Sequence, residues 1–152
     1  WPGSAGSPLR PDNLRAAPTA LPAAGVADAV ERVLGVFPEL RVKLALPARS
    51  LSGGQKQMVC IAQALIGKPR YLAIDELSLG LAPAVVKRLV EVVQKVAREG
   101  VGVLLIEQFT TVALAVSSRA YVLERGRMAF AGSSEELRRR PEILHSSYLA
   151  TA

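Results

Sequence analysis

Apolar residues first settle into a pattern between Ala27 and Phe37, where Val30, Val33, Leu34 and Phe37 recur at three- and four-residue intervals. That spacing predicts a helix with one buried stripe, and it places Asp28 and Glu31 in early turns where the helix dipole favours negative charge. Pro38 and Pro47 bracket a loop. The run LSGGQKQMVCIAQALIG, Leu51 to Gly67, predicts a second helix: Ser52 is the N-cap, Met58, Ile61, Ala62 and Leu65 form its stripe, and Gly67 with Pro69 ends it. YLAID, Tyr71 to Asp75, reads as a short buried strand with an acidic C-terminal end. From Pro83 to Glu99 the helical period returns in Val85, Leu89, Val92, Val93 and Val96, with Pro83 in the first turn and Gly100 just past the end. VGVLLIE, Val101 to Glu107, reads as a second buried strand, Thr111 to Val116 as a short helix, and AYVLERGRMAFAG as two strands turning near Gly126. In GSSEEL, Ser133 reaches toward Glu136 as a capping box. Strand, helix, strand, helix in succession predicts an α/β fold with a parallel sheet.

Before this pattern starts, residues 1 to 25 carry Pro2, Pro8, Pro11, Pro18 and Pro22 among several glycines, a density incompatible with a regular helix or central strand. We expect residues 1–26 to form a poorly ordered leader, 27–66 a helical subdomain, 67–132 an α/β core and 133–152 C-terminal helices. The first residue is Trp and no signal-peptide pattern follows, so the sequence reads as a fragment. Half of the 152 residues are hydrophobic and 21% are charged, enough for a packed core. Apolar runs fall well short of the roughly 20 residues needed to cross a bilayer. The net charge of +6 would suit an acidic partner, but the basic residues are scattered and their densest run, Arg138 to Arg140, lies on a short terminal helix with few aromatics near it. No nucleic-acid partner is expected. Cys60 is the single cysteine; set inside an apolar helix, it should pack as a small hydrophobe in a reducing cytoplasm. His145 lies in a terminal amphipathic stretch beside Tyr148 and Leu149 without a second histidine, so a surface role is expected.

The candidate chemistry lies at two places. Gly53 and Gly54, lacking Cβ atoms, let a ligand approach the backbone at a helix start, where N–H groups carry partial positive charge; Ser52 adds a hydroxyl and Gln55 an amide. Alone, this pattern is equally an ordinary helix cap. Asp75 and Glu76 then arrive together at the C-terminal end of a strand, where open α/β sheets form ligand crevices. Two solvated acids at a strand end are common, but the pair can also divide labour, Asp75 holding Mg²⁺ and Glu76 deprotonating a water that attacks a terminal phosphate.

In these residues, in order and at matching intervals, the sequence resembles the ATP-binding subunits of ABC transporters. LSGGQ is similar to the signature motif, LAIDE to the Walker B strand with its catalytic glutamate, and LSLGLAP to the D-loop. LSGGQKQM, DELSLGLAP, LLIEQ, YVLERGR and GSSEEL together most resemble the branched-chain amino acid uptake branch, over about Asp12 to Leu149, with PDNL at Pro11 to Leu14 similar to the segment after the glutamine loop. The resemblance implies a partial P-loop NTPase-like ABC ATPase domain: a mostly parallel sheet flanked by helices, with a C-terminal strand pair and helices. It also implies that Ser52, Gly53, Gly54 and Gln55 contact ATP held by a second subunit packed head to tail, that Asp75 organises Mg²⁺, and that Glu76 is the general base. Residues 78–82 would touch the partner subunit. Most of the superfamily has His at the switch position, whereas this sequence has Gln108, an amide that can sense the γ-phosphate but not exchange a proton near neutral pH. Leu77 departs from the proline that commonly follows the glutamate, which should loosen the turn carrying Glu76.

No G-x-x-x-x-G-K-[ST] phosphate loop occurs in the sequence; Gly67-Lys68 ends a helix and precedes Pro69. The expectation is therefore the second half of a nucleotide-binding domain, inactive alone, which in its whole form hydrolyses ATP on the cytoplasmic face of the membrane beside permease subunits. The alternatives are a non-transport ABC-type ATPase and a non-catalytic interaction fragment.

Overall fold

A computed structural model describes residues 23–144 of the chain. The expectations for residues 1–22, His145, Tyr148 and Leu149 lie outside them. In order, the elements are α1 (Ala23–Val36), α2 (Pro38–Arg41), a 3₁₀ turn (Ala48–Ser50), α3 (Gly53–Ile66), β1 (Tyr71–Asp75), α4 (Pro83–Arg98), β2 (Gly102–Ile106), α5 (Thr110–Val116), β3 (Arg119–Glu124), β4 (Arg127–Ser133) and α6 (Ser134–Arg138). β1 pairs with β2 and β3 with β4, forming two two-stranded sheets. At the two ends of the first pair, the Gly102 N–H bonds Arg70 O at 2.9 Å and the Glu76 N–H bonds Ile106 O at 3.0 Å, so both strands run in the same direction. Among the described residues, 23–73 with Leu79–Leu104 form one compact unit, and Ile74–Ser78 with 105–144 form another.

In the first unit the expected stripes are the core. Val33, Leu34 and Phe37 from α1 and its end are buried, as are Met58, Ile61, Ala62 and Leu65 of α3 and Leu89, Val92, Val93 and Val96 of α4. Each large side chain removed from water in this way contributes about 1.5–3 kcal/mol. Half-buried Arg88 of α4 adds a polar tie, donating to Glu39 Oε1 at 2.9 Å and to Val36 O at 2.6 Å.

α1 is already helical at Ala23, four residues before the periodic pattern, so Asp28 and Glu31 lie beyond its first turn and the dipole argument for them fails. Glu31 instead pairs with exposed Arg41 at 2.8 Å. Cys60 is also corrected: it is exposed, because Met58, Val59, Ile61 and Ala62 set the helical phase and turn position 60 to the solvent side. Neither expected buried strand is buried throughout: β1 is buried on alternate residues and β2 has only half-buried and exposed ones. Leu72 and Ile74 are buried, whereas Tyr71 is 77%, Leu104 61% and Ile106 50% exposed.

In the second unit, Arg125 (φ 47°) and Gly126 (φ 75°) form a two-residue turn with both backbones left-handed, the geometry that matches strand twist in a tight hairpin. The β3–β4 register shifts between Val122 and Leu123. Leu114, Phe130 and Leu137 form the buried cluster over which this hairpin, α5 and α6 pack. Ser133 caps α6, its Oγ accepting from the Glu136 N–H at 3.0 Å, which is one half of the expected capping box.

Candidate functional site

The entrance of α3 is a complete capping box. Ser52 Oγ accepts from the Gln55 N–H at 3.3 Å, and Gln55 Oε1 accepts from the Ser52 N–H at 3.0 Å. The cap leaves donors in place, because a hydroxyl that accepts one bond still carries its proton and the Gln55 amide nitrogen still carries two. The N–H groups of Gly53 and Gly54 occupy the first two helical positions, where no acceptor lies within the helix. The two glycines nevertheless differ. Gly53 is exposed, and a Cβ there would sit 3.5 Å from Leu81 Cδ2, an ordinary contact. Gly54 is buried, and a Cβ there would lie 2.4 Å from Val85 Cγ1. Gly53 therefore leaves its backbone open to solvent, while close packing of α3 on α4 accounts for Gly54.

A second constellation, contained in the other unit, lies where β1 and β2 end. Asp75 is the exposed last residue of β1. Glu76 follows in the left-handed region at φ 51°, a conformation that costs a side-chain-bearing residue about 1–2 kcal/mol. Such strain persists only where the surroundings impose it, and functional sites are where it gathers. Here the constraints are the Glu76 N–H on Ile106 O and the Gln108 side-chain amide, which donates to Glu76 Oε1 at 3.1 Å. Leu77 supplies a further anchor: it is 0% exposed. The expected loosening from the missing proline is therefore offset by packing, since a buried leucine fixes the turn that a ring would have fixed through φ.

Sequence reasoning assigned no role to Glu107. Its Oε1 accepts from both the backbone N–H and the hydroxyl of Ser78, each at 2.8 Å, and Oε2 accepts from the Phe109 N–H at 3.4 Å. The available signal was a lone acid closing an apolar strand immediately before Gln108; the partner, 29 residues earlier, was not legible. Asp75, Glu76, Gln108 and Glu107 thus gather at one set of strand ends, while Ser52, Gly53, Gly54 and Gln55 gather at one helix entrance. Among the described residues no group of three or more His, Cys, Asp or Glu could cage a metal.

The ABC transporter family profile matches residues 19–78. The high-affinity branched-chain amino acid transport ATP-binding protein BraG of Pseudomonas aeruginosa is 40% identical over 114 residues, which cover 75% of this chain and 49% of BraG. The probable branched-chain amino acid transport ATP-binding protein LivF of Archaeoglobus fulgidus is 35% identical over 127 residues, 83% of this chain and 54% of LivF. Among solved structures, an ATP-binding subunit of an ABC transporter is similar with a TM-score of 0.76 at 26% identity, covering 97% of this chain and 63% of that one. The chain spans about half the length of the curated relatives it matches.

Proposed function

Because the chain belongs to the ABC transporter family of ATP-binding proteins, we propose that it supplies the signature-motif and general-base half of an ATPase that powers an importer of branched-chain amino acids. The observation that carries the mechanism is the strained, doubly held Glu76 beside Gln108. Glu76 takes the proton of the attacking water, and Gln108, donating to its carboxylate, orients it and senses the γ-phosphate. The donors that the capping box leaves on Ser52 and Gln55, with the N–H groups of Gly53 and Gly54, suit the γ-phosphate of ATP held by a second, head-to-tail subunit. Asp75 suits a magnesium ion that arrives with the nucleotide, since Mg²⁺ bound by phosphates and water needs only one or two carboxylates. That ion, when bound, would supply positive charge to offset the charge of the phosphates.

The names of BraG and LivF support the branched-chain amino acid reading and the permease partners it brings. Among the described residues no helix is long and apolar enough to cross a membrane, which fits a subunit lying on the cytoplasmic face beside membrane-spanning partners. These 152 residues hold no phosphate-loop sequence, so alone they bind ATP weakly and hydrolyse it negligibly. The test joins them in frame to the phosphate-loop half of BraG and measures magnesium-dependent phosphate release. Glu76→Gln in that protein should bind ATP normally and turn over at least about 100-fold more slowly. Unimpaired turnover by Glu76→Gln would remove it from the role of base, and turnover by the 152 residues alone would overturn the need for a complementary half.

A further inference from the structure

Ile106, Glu107 and Gln108 are consecutive, and each holds a different part of the chain that follows β1. Ile106 O takes the Glu76 N–H, Gln108 holds the Glu76 carboxylate, and Glu107 takes both donors of Ser78. Ser78 is 7% exposed, and a buried hydroxyl without a partner would be costly, so the Glu107 bonds are needed for that residue to lie where it does. Both bonds are charge-assisted and short, and both meet one carboxylate oxygen, which fixes Ser78 in position and in orientation. Ser78 is also the first residue of the stretch 78–82.

We propose that Glu107 is a positioning residue for the reaction: it sets Ser78, the first residue of the partner-facing stretch, from the same three-residue strand end that sets the base. One short segment then holds both the water-activating carboxylate and the start of the inter-subunit contact, so a shift of either is felt by the other. This rests on the reading of Glu76 and of residues 78–82 given above, and its test therefore has an arm that does not depend on catalysis.

In the 152-residue chain, amide hydrogen exchange at Ser78 is followed by NMR. Glu107→Ala should accelerate it about tenfold or more, whereas Glu107→Gln, whose carbonyl oxygen can still accept both bonds, should stay within about threefold of the parent. In the protein joined to the phosphate-loop half of BraG, Glu107→Ala should lower kcat about tenfold with KM for ATP within about twofold, and Glu107→Gln should recover most of the loss. Unchanged Ser78 exchange in Glu107→Ala would overturn the proposal, as would normal kcat, or a loss that Glu107→Gln does not recover. Should Glu107→Ala fail to fold, Ser78→Ala removes the hydroxyl bond alone, and the same pattern at about half the size is required of it on a logarithmic scale. A joined parent protein that hydrolyses no ATP would count against the functional reading, while Ser78 exchange would still decide whether Glu107 holds the loop.

Discussion

Replacing Gly54 by alanine separates what that glycine does for packing from what it does for a ligand. The added Cβ would lie 2.4 Å from Val85 Cγ1, 3.3 Å from Cγ2 and 3.4 Å from Val85 Cβ, where carbon atoms normally rest about 3.5–4.0 Å apart. Val85 cannot swing away cheaply, because a β-branched residue in a helix has essentially one χ1 well. The helices must therefore move apart or distort, at about 1–3 kcal/mol. Alanine's better helix propensity returns at most about 1 kcal/mol. The net loss should be about 1–2 kcal/mol, which for a chain of this size lowers Tm by about 2–8 °C. Gly53→Ala is the control: its Cβ meets only Leu81 Cδ2 at 3.5 Å, so stability should hold or rise slightly. Thermal unfolding followed by circular dichroism measures both, and the Gly54→Ala/Val85→Ala double variant should recover about 1 kcal/mol relative to the sum of the single changes. If Gly54→Ala proved as stable as Gly53→Ala, or if Val85→Ala brought no recovery, the packing account of Gly54 would be wrong.

Three further outcomes follow from the same geometry. Arg88→Met should cost about 2–3 kcal/mol in urea unfolding, because it strips a charge-assisted donor from both Glu39 and Val36 O, while Arg41→Met, on an exposed pair, should move the transition by less than about 1 kcal/mol; equal effects would contradict this. Leu77→Ala should cost about 2–4 kcal/mol by opening a cavity beneath the turn, and a loss well under 1 kcal/mol would show that the side chain does not anchor it. Partial desolvation of the thiol by its helix neighbours pushes Cys60 above its ordinary 9.0, which slows alkylation near pH 8 relative to a free thiol although the residue as a whole is exposed. The folded state thus holds that proton more tightly than the unfolded chain, so this group's contribution to stability is in place below pH 9.0 and fades as pH rises through the folded-state value; a titration of alkylation rate with the midpoint of a free thiol would refute it.

What was legible in the sequence was whatever depends on near neighbours. The stripes of α1, α3 and α4, the tight turn at Gly126 and the cap at Ser133 all follow from spacings of four residues or fewer, and the structure places them there. The cap at Ser52 was legible too, although its reciprocal partner Gln55, three residues on, was read only as a ligand donor. The exposure of Cys60 was legible in the same way, since the stripe of Met58, Ile61, Ala62 and Leu65 excludes position 60 from the buried side. The rest depends on pairs far apart in sequence. Neither Gly54 against Val85 nor Ser78 on Glu107 leaves a periodic trace, and the burial of Leu77 comes from surroundings that no local pattern encodes. A family resemblance could bring the candidate residues to attention; it could not say which polar atoms of those residues were already engaged.

Tyr71 and Leu104, apolar yet facing water on adjacent strands, carry a practical corollary for handling the protein. An uncovered aromatic and aliphatic surface of this kind draws in dyes such as ANS, detergent tails and other copies of the chain, so colloidal behaviour should worsen as concentration or ammonium sulfate rises. Dilute, low-salt purification with light scattering at each step is the regime in which the remaining measurements would report on single molecules.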